Sequence, residues 1–203
     1  MLCVCSASFS HQTSLWTSMQ LQSAQCFFQL RQLRHVLDSE SAETLVHAFV
    51  TSRIDYGNAL FANATKSTTD NLQRVLNAAT RVISGTRKFD RGLSRIIRDD
   101  LHWLNVPQHV TFKVCMTVNK CLHGLAPLYL AELCVPVADV GARHWLLSAS
   151  RGLLDSPRFN MSNYGRRVFS FAGPRAWNSL PEYLRQASSI SVFKRSLKTY
   201  LFK

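Results

Sequence analysis

Residues 164–181 read Y-G-R-R-V-F-S-F-A-G-P-R-A-W-N-S-L-P, and residues 189–202 read S-I-S-V-F-K-R-S-L-K-T-Y-L-F. Aromatic side chains (Phe169, Phe171, Trp177, Phe193, Tyr200) alternate with basic ones (Arg166, Arg167, Arg175, Lys194, Arg195, Lys198). Two physical jobs produce that mixture. Either the aromatics close a small helical core while the cations stay in water, or both kinds of side chain face a nucleic acid. Apolar residues at helical spacing usually mark a core stripe. Val192, Phe193, Leu197 and Leu201 have that spacing, which predicts a closing helix that starts after Ser189 or Ser191 and turns Lys194, Arg195 and Lys198 elsewhere. Trp177 reads as a core anchor ahead of a stacking platform, with Asn178 or Ser179 capping a turn before Pro181. Tyr164, Phe169 and Trp177 are the candidates for stacking on unpaired bases.

Working outward, the clearest helix is Ser67–Ser84. Leu72, Val75, Leu76, Ala79, Val82 and Ile83 make one apolar stripe, Ser67 with Asp70 resembles a capping box, and Gly85 is placed to end it. Arg74 and Arg81 share its outer face. Upstream, Phe27, Leu30, Leu33 and Leu37 predict an amphipathic helix over 24–37. Asp38 and Ser39 then offer an N-cap to a helix burying Leu45, Val46, Phe49 and Val50. Tyr56-Gly57-Asn58 marks a turn. Downstream come a short helix over 93–99 and one opened by Pro107, with Val110, Val114, Val118, Cys121 and Leu122 on its apolar face and Gly124 ending it. Pro127 opens another short helix, through Leu133. Residues 135–164, broken by Pro136, Gly141, Gly152 and Pro157, read as an irregular arm with short strands at L-L-S-A-S and R-G-L-L. The fold expected is mainly α: an irregular bundle of about six to eight helices. The segments are a leader unrelated to the rest or disordered (1–23), a helical region (24–134), the arm (135–164) and a basic-aromatic helical end (165–203).

Composition bounds the function. The chain has 203 residues, 46% of them apolar and 18% charged, as in a folding domain and not in a disordered chain. Lys and Arg number 24 against 12 acids, a net charge of +12. The excess is uneven: residues 151–203 carry ten basic and two acidic side chains, residues 51–100 nine and five. A concentrated positive field draws polyanions, with salt-dependent binding; nucleic acid ranks ahead of acidic lipid. Arg158, Arg166, Arg167, Arg175, Lys194, Arg195 and Lys198 are the candidate phosphate contacts. Six cysteines without the spacing of a secreted scaffold point to a reducing compartment, cytoplasmic or nuclear. No signal peptide or membrane span is indicated.

Enzyme signatures are lacking. Ile97-Arg98-Asp99-Asp100 imitates the paired aspartates that hold two metal ions in a polymerase, but the aromatic position is Ile97 and the flanks read as helix. Asp99 and Asp100 read instead as helix-end acids or partners for Arg95. Cys115, Cys121, His123 and Cys134 lack the close pairs of a zinc site, and His102 and His123 read as satisfied polar residues beside helix ends. No nucleophile elbow or phosphate loop is present. No cofactor, metal or small-molecule substrate is expected.

The same stretches carry a resemblance. W-N-S-L-P, the preceding Y-G-x-R-x-F-S-x-A-x-P-R and the closing F-K-x-x-L-K-T-x-L-F are similar to the C-terminal end of the reverse-transcriptase polyprotein of LINE-type, non-LTR retrotransposons. F-F-x-L-R at 27–31, A-E-T-L-V-H-A-F-V at 42–50, S-R-I-D-Y-G-N-A-L at 52–60, L-Q-R-V-L-N-A-A-T-R at 72–81, L-H-W-L-N-V at 101–106 and H-G-L-A-P-L-Y-L at 123–130 agree in order. The resemblance covers roughly 24–203. Gly57 departs from the family's usual Cys, Trp145 from a polar linker, and the zinc knuckle that ends some members is missing. The resemblance implies that residues 24–134 correspond to thumb and post-thumb structure beyond the polymerase palm. It also implies a fragment that binds RNA or DNA weakly without making DNA. The palm, or a second copy, is the protein partner it implies. A helical interaction module and a relic reading frame are the alternatives.

Overall fold

The computed structural model describes residues 28–29, 32, 36–52, 61–87, 89–141, 151–156 and 169–202. The helix expected over 24–37, the turn at 56–58 and most of the arm fall largely or wholly outside them. So do Arg158, Tyr164, Arg166 and Arg167. Among the described residues the protein is mainly α, with eight α-helices: α1 Ser39–Val46, α2 Lys66–Ser84, α3 Leu93–Arg95, α4 Val106–Leu122, α5 Leu128–Ala131, α6 Phe169–Asn178, α7 Glu182–Arg185 and α8 Ile190–Leu201. None of these helices is long and apolar enough to cross a membrane. The chain divides into two compact units, residues 1–56 with 70–103 and residues 57–69 with 104–203.

In the first unit, Asp38 caps α1 by accepting from the Ser41 backbone N–H at 3.4 Å. Hydrogen bonds from Ser41, its hydroxyl first, hold the Asp38 carboxyl below its ordinary value. The helix widens into a π turn over His47–Thr51. That turn carries more residues per revolution than an α-helix. Ala42 and Val46 are buried on the α-helical part, and within the π turn Val50 is buried while Phe49, expected inside, is exposed. α2 buries Leu72, Leu76, Ala79, Thr80 and Ile83, with Val75 and Val82 half-buried. It starts at Lys66, so Ser67 is not its cap. The cap position falls to Thr65, whose hydroxyl lies 3.0 Å from that of Ser67 and 2.9 Å from that of Thr68. Gly85 takes φ +67° beyond the last turn, a left-handed conformation that glycine adopts without penalty. α3 runs into a second π turn, Ile96–Asp100, where Asp99 pairs with Arg95 at 3.5 Å.

The second unit is built on α4. Its start is a capping box: Asn105 caps and the Asn105 N–H donates to Gln108 Oε1 at 3.2 Å. Pro107 occupies the second helical position, one later than expected, where a missing N–H goes unmissed. Val110, Val114, Val118 and Cys121 face inward as expected, but Leu122, on the last turn, is 36% exposed. One core joins Cys115, Val118 and Cys121 of α4 to Trp177, Leu184, Phe193 and Leu197 of the later helices. The Trp177 and Phe193 rings meet at 5.4 Å between centroids, tying α6 to α8. α6 lies close on α4 because residue 173 is glycine. A Cβ there would sit 3.2 Å from Val118 Cγ2 and 3.2 Å from the Phe169 ring. α8 is capped by Ser189, whose hydroxyl accepts from the Val192 N–H at 3.3 Å. Phe193 and Leu197 are buried and Leu201 is half-buried. Val192 is 48% exposed, because a residue one step from Phe193 lies about 100° around the helix.

The two described ends of the arm are joined. Pro136 and Leu154 form an isolated antiparallel bridge. The Val137 N–H donates to Leu153 O at 2.9 Å, and the Asp155 N–H to Val135 O at 2.8 Å. The opposite edge of the 151–155 segment is held by side chains. Trp177 Nε1–H donates to Gly152 O at 2.9 Å, and the Arg185 guanidinium to Arg151 O and Leu180 O. Asn178 acts as a short strand: its Oδ1 accepts from the Leu154 N–H at 2.9 Å and its Nδ2 donates to Leu154 O at 2.8 Å. Asn178 thus satisfies backbone of the arm, while at the turn before Pro181 the local side-chain bond is made by Ser179, whose hydroxyl donates to Ala176 O at 2.7 Å; Pro181 is the residue before α7.

Candidate nucleic-acid interface

Four of the seven predicted phosphate contacts lie among the described residues, and all four are exposed: Arg175 on α6, and Lys194, Arg195 and Lys198 on α8. On α8 the geometry is simple. With roughly 100° per residue, Phe193 and Leu197 define the buried stripe, and Lys194, Lys198 and Arg195 fan across the opposite side. Among the described residues no carboxylate pairs with these three. Lys198 Nζ lies 5.5 Å from the centroid of the Phe202 ring, one helical turn on. An attraction of that kind orients an ammonium without neutralising it.

Arg175 belongs elsewhere. It precedes Trp177 by two residues, about 200° around α6, and Trp177 faces α8. Arg175 therefore points away from α8, with its guanidinium carbon 5.8 Å from the Phe171 ring centroid. It lines a groove of about 210 Å³ between α4 and α6. The groove's apolar surface comes from Val110 and Val114 on α4, Ala172 and Ala176 on α6, and Ala62. Thr111, Ser179 and Asn63 add polar atoms. The structure thus places the cations in two groups, a face on α8 and Arg175 at the groove. Composition gave no sign of the groove. The legible trace was the small-residue spacing Ala172, Ala176, Ser179, which puts three short side chains on one face of the chain's turn.

The proposed stackers separate as well. Trp177 is 2% exposed and hydrogen-bonded, so it is a core anchor. Phe169 is half-buried against the same core. Arg185, never singled out in the sequence, is a structural cation whose guanidinium is taken up by two carbonyls.

The candidate metal ligands do not assemble. Among the described residues no group of three His, Cys, Asp or Glu side chains could hold an ion. His123 Nδ1 sits 2.8 Å from Asn119 O and His102 Nδ1 3.2 Å from Arg98 O, each closing a helix end. Cys115, Cys121 and Cys134 are buried free thiols. Burial pushes the Cys115 thiol up to about 12. Burial, and then the neighbouring Cys121, do the same for Cys134, also to about 12. Thiols so raised stay protonated and are poor nucleophiles. Asp99 and Asp100 stand on a helical turn, with Asp99 engaged by Arg95.

Comparison with protein-family models, with curated proteins and with solved structures finds no match to this chain.

Proposed function

We propose that this chain is a helical module that binds RNA or DNA weakly, without sequence preference and without catalysis. We further propose that it corresponds to the post-palm tail of a LINE-type reverse transcriptase. The observation that carries the binding is the α8 face: three cations on one surface, held outward by a helix whose other side is locked into a core. Such a surface recognises phosphate spacing and not base identity. The sequence blocks from residue 27 to residue 202 support the origin. The absence of catalysis is supported by the helical setting of Asp99 and Asp100, because the aromatic-x-Asp-Asp box that holds the metal ions of a reverse transcriptase sits on a strand–turn–strand.

The test is filter binding of single-stranded RNA and DNA in rising salt. Binding at low salt that weakens steeply as salt rises is expected. No retention at low salt would refute the binding. Nucleotide incorporation by the purified chain, lost when Asp99 and Asp100 become Asn, would refute the non-catalytic assignment.

A second reading, a protein-interaction module, is favoured by one observation. Leu125, Leu128 and Tyr129 are 66%, 74% and 66% exposed around α5. A run of large exposed apolar side chains commonly marks an interaction surface. The palm or a second copy would be its partner. Light scattering that gives a monomer at all concentrations would count against self-association.

A further inference from the structure

We propose that Cys121 and Cys134 form an oxidation site, in which a peroxide joins the two thiols as a disulfide that staples the last turn of α4 to the chain just beyond α5. Both are free thiols in one core cluster, and their side chains are hydrogen-bonded to each other. The fold brings them together. After Cys121 the chain reverses at Gly124, which takes φ +68°, and the Leu125 N–H donates back to Lys120 O at 2.9 Å. It then runs through α5, and the Cys134 N–H donates to Ala131 O at 2.9 Å. A disulfide needs its sulfurs at about 2.0 Å, closer than a hydrogen-bonded pair, so the chain must draw in. Residues 122–133 can give: Leu122, Leu125, Leu128, Tyr129 and Leu133 are exposed, so these side chains do not wedge the turn in place. Cys115 differs, because burial alone accounts for its raised thiol.

The pair divides the chemistry. Burial raises the Cys121 thiol, but the hydrogen bond with Cys134 pulls it back. At Cys134 burial is joined by Cys121, whose charge and hydrogen bond both push the thiol further up. Cys121 is therefore the first to ionise, and the thiolate is the attacking form. Peroxide is small and uncharged, which suits thiols only 6% and 4% exposed, and local opening at the end of a helix admits it. The Cys121 thiolate attacks one peroxide oxygen, the O–O bond breaks, and the departing hydroxide takes up a proton as water. Cys121 is then a sulfenic acid. The adjacent Cys134 sulfur attacks the Cys121 sulfur, the S–O bond breaks, and hydroxide leaves with the Cys134 proton as a second water. Two thiols have lost two electrons and two protons, and one peroxide has become two waters. The ring so closed contains Leu125, Leu128 and Tyr129, so the redox state sets how firmly that exposed surface is held.

The experiment exposes the whole reduced protein to hydrogen peroxide, alkylates it in denaturant and maps its peptides by mass spectrometry. A Cys121–Cys134 linkage lighter by two hydrogens is expected, with Cys115 alkylated as a free thiol. The ring of residues 121–134 restricts the unfolded chain, so the urea midpoint should rise by about 1 M on oxidation, a rise that Cys134→Ser abolishes. Recovery of Cys121 and Cys134 as free thiols, as sulfinic acids or in bonds to other cysteines would overturn the assignment. So would a Cys121–Cys134 linkage that leaves the midpoint unchanged or lowers it. The mapping needs only the parent chain, so a Cys134→Ser variant that fails to fold leaves the decisive readout intact.

Discussion

Replacing Asn178 with Ala tests how the arm is fastened to the helical core. The carboxamide makes two hydrogen bonds to one residue 24 positions away, at 2.9 and 2.8 Å, and Leu154 itself is 3% exposed. Removing the amide takes away two bonds, each contributing about 1 kcal/mol net, and leaves a backbone N–H and C=O with reduced access to water, at about 1–3 kcal/mol apiece. Some relaxation and water entry is certain at a part-buried site, so a loss of about 2–4 kcal/mol is expected. That is a large share of the roughly 5–15 kcal/mol of a whole domain. The assay is urea unfolding followed by tryptophan fluorescence, comparing midpoints at equal slope. Asn178→Asp sharpens the test. Its carboxylate can still accept from the Leu154 N–H but faces the Leu154 carbonyl with no proton to donate. It should destabilise at least as much as Ala at neutral pH. In the native state this carboxyl would be raised above its ordinary value, so its penalty should shrink as pH falls through that raised value and the group gains a donor. A loss below about 0.5 kcal/mol for Asn178→Ala, within the range of an ordinary surface change, would refute the idea that this amide acts as a strand. So would an Asp variant indistinguishable from the parent.

Three further outcomes are expected. Changing Lys194, Arg195 and Lys198 together to Gln should flatten the logarithmic salt dependence of single-strand binding by about 2, each phosphate contact contributing about 0.7; an unchanged slope would remove α8 from the interface. The thiols of Cys115 and Cys134, raised to about 12 from an ordinary 9.0, favour the protonated, folded state. Their contribution is fully present below pH 9. It is lost as pH rises from there toward 12, most of all for the more deeply buried Cys115. Under reducing conditions the Cys115→Ala, Cys134→Ala double variant should lose less stability than the parent between pH 9 and 11, and parallel pH curves would contradict this. Ser189→Ala should lower unfolding free energy by about 1 kcal/mol through loss of the α8 cap, read as a lower urea midpoint.

Much of the helical layout was legible because its signals are local. Asp38 before α1, Gly85 after α2, Pro107 near the start of α4, Gly124 after it and Ser189 before α8 act within one turn of where they stand. The apolar periodicity of α2 and α4 predicted most of their buried residues. The misses have two causes. Phe49 and Leu122 stand where a helix widens or ends, places no average period describes, whereas Val192 was placed on the stripe although it lies one residue, about 100°, from buried Phe193. The site was less legible. Exposure of the α8 cations followed from the stripe opposite them, whereas the separate placement of Arg175 depends on which face of α6 meets α8. Asn178 could not be assigned to Leu154 from spacing, since nothing between residues 154 and 178 announces that pairing. The groove exists only where α6 and α4 are brought together.

Gly173 sets a tolerance for relatives of this chain. A hydrogen atom fills the gap there where any other residue would place carbon, 3.2 Å from Val118 Cγ2 and 3.2 Å from the Phe169 ring. A larger residue at that position obliges those two side chains, or the helices that carry them, to give by a few tenths of an ångström, so bulk at 173 should travel with a smaller partner at 118 or 169.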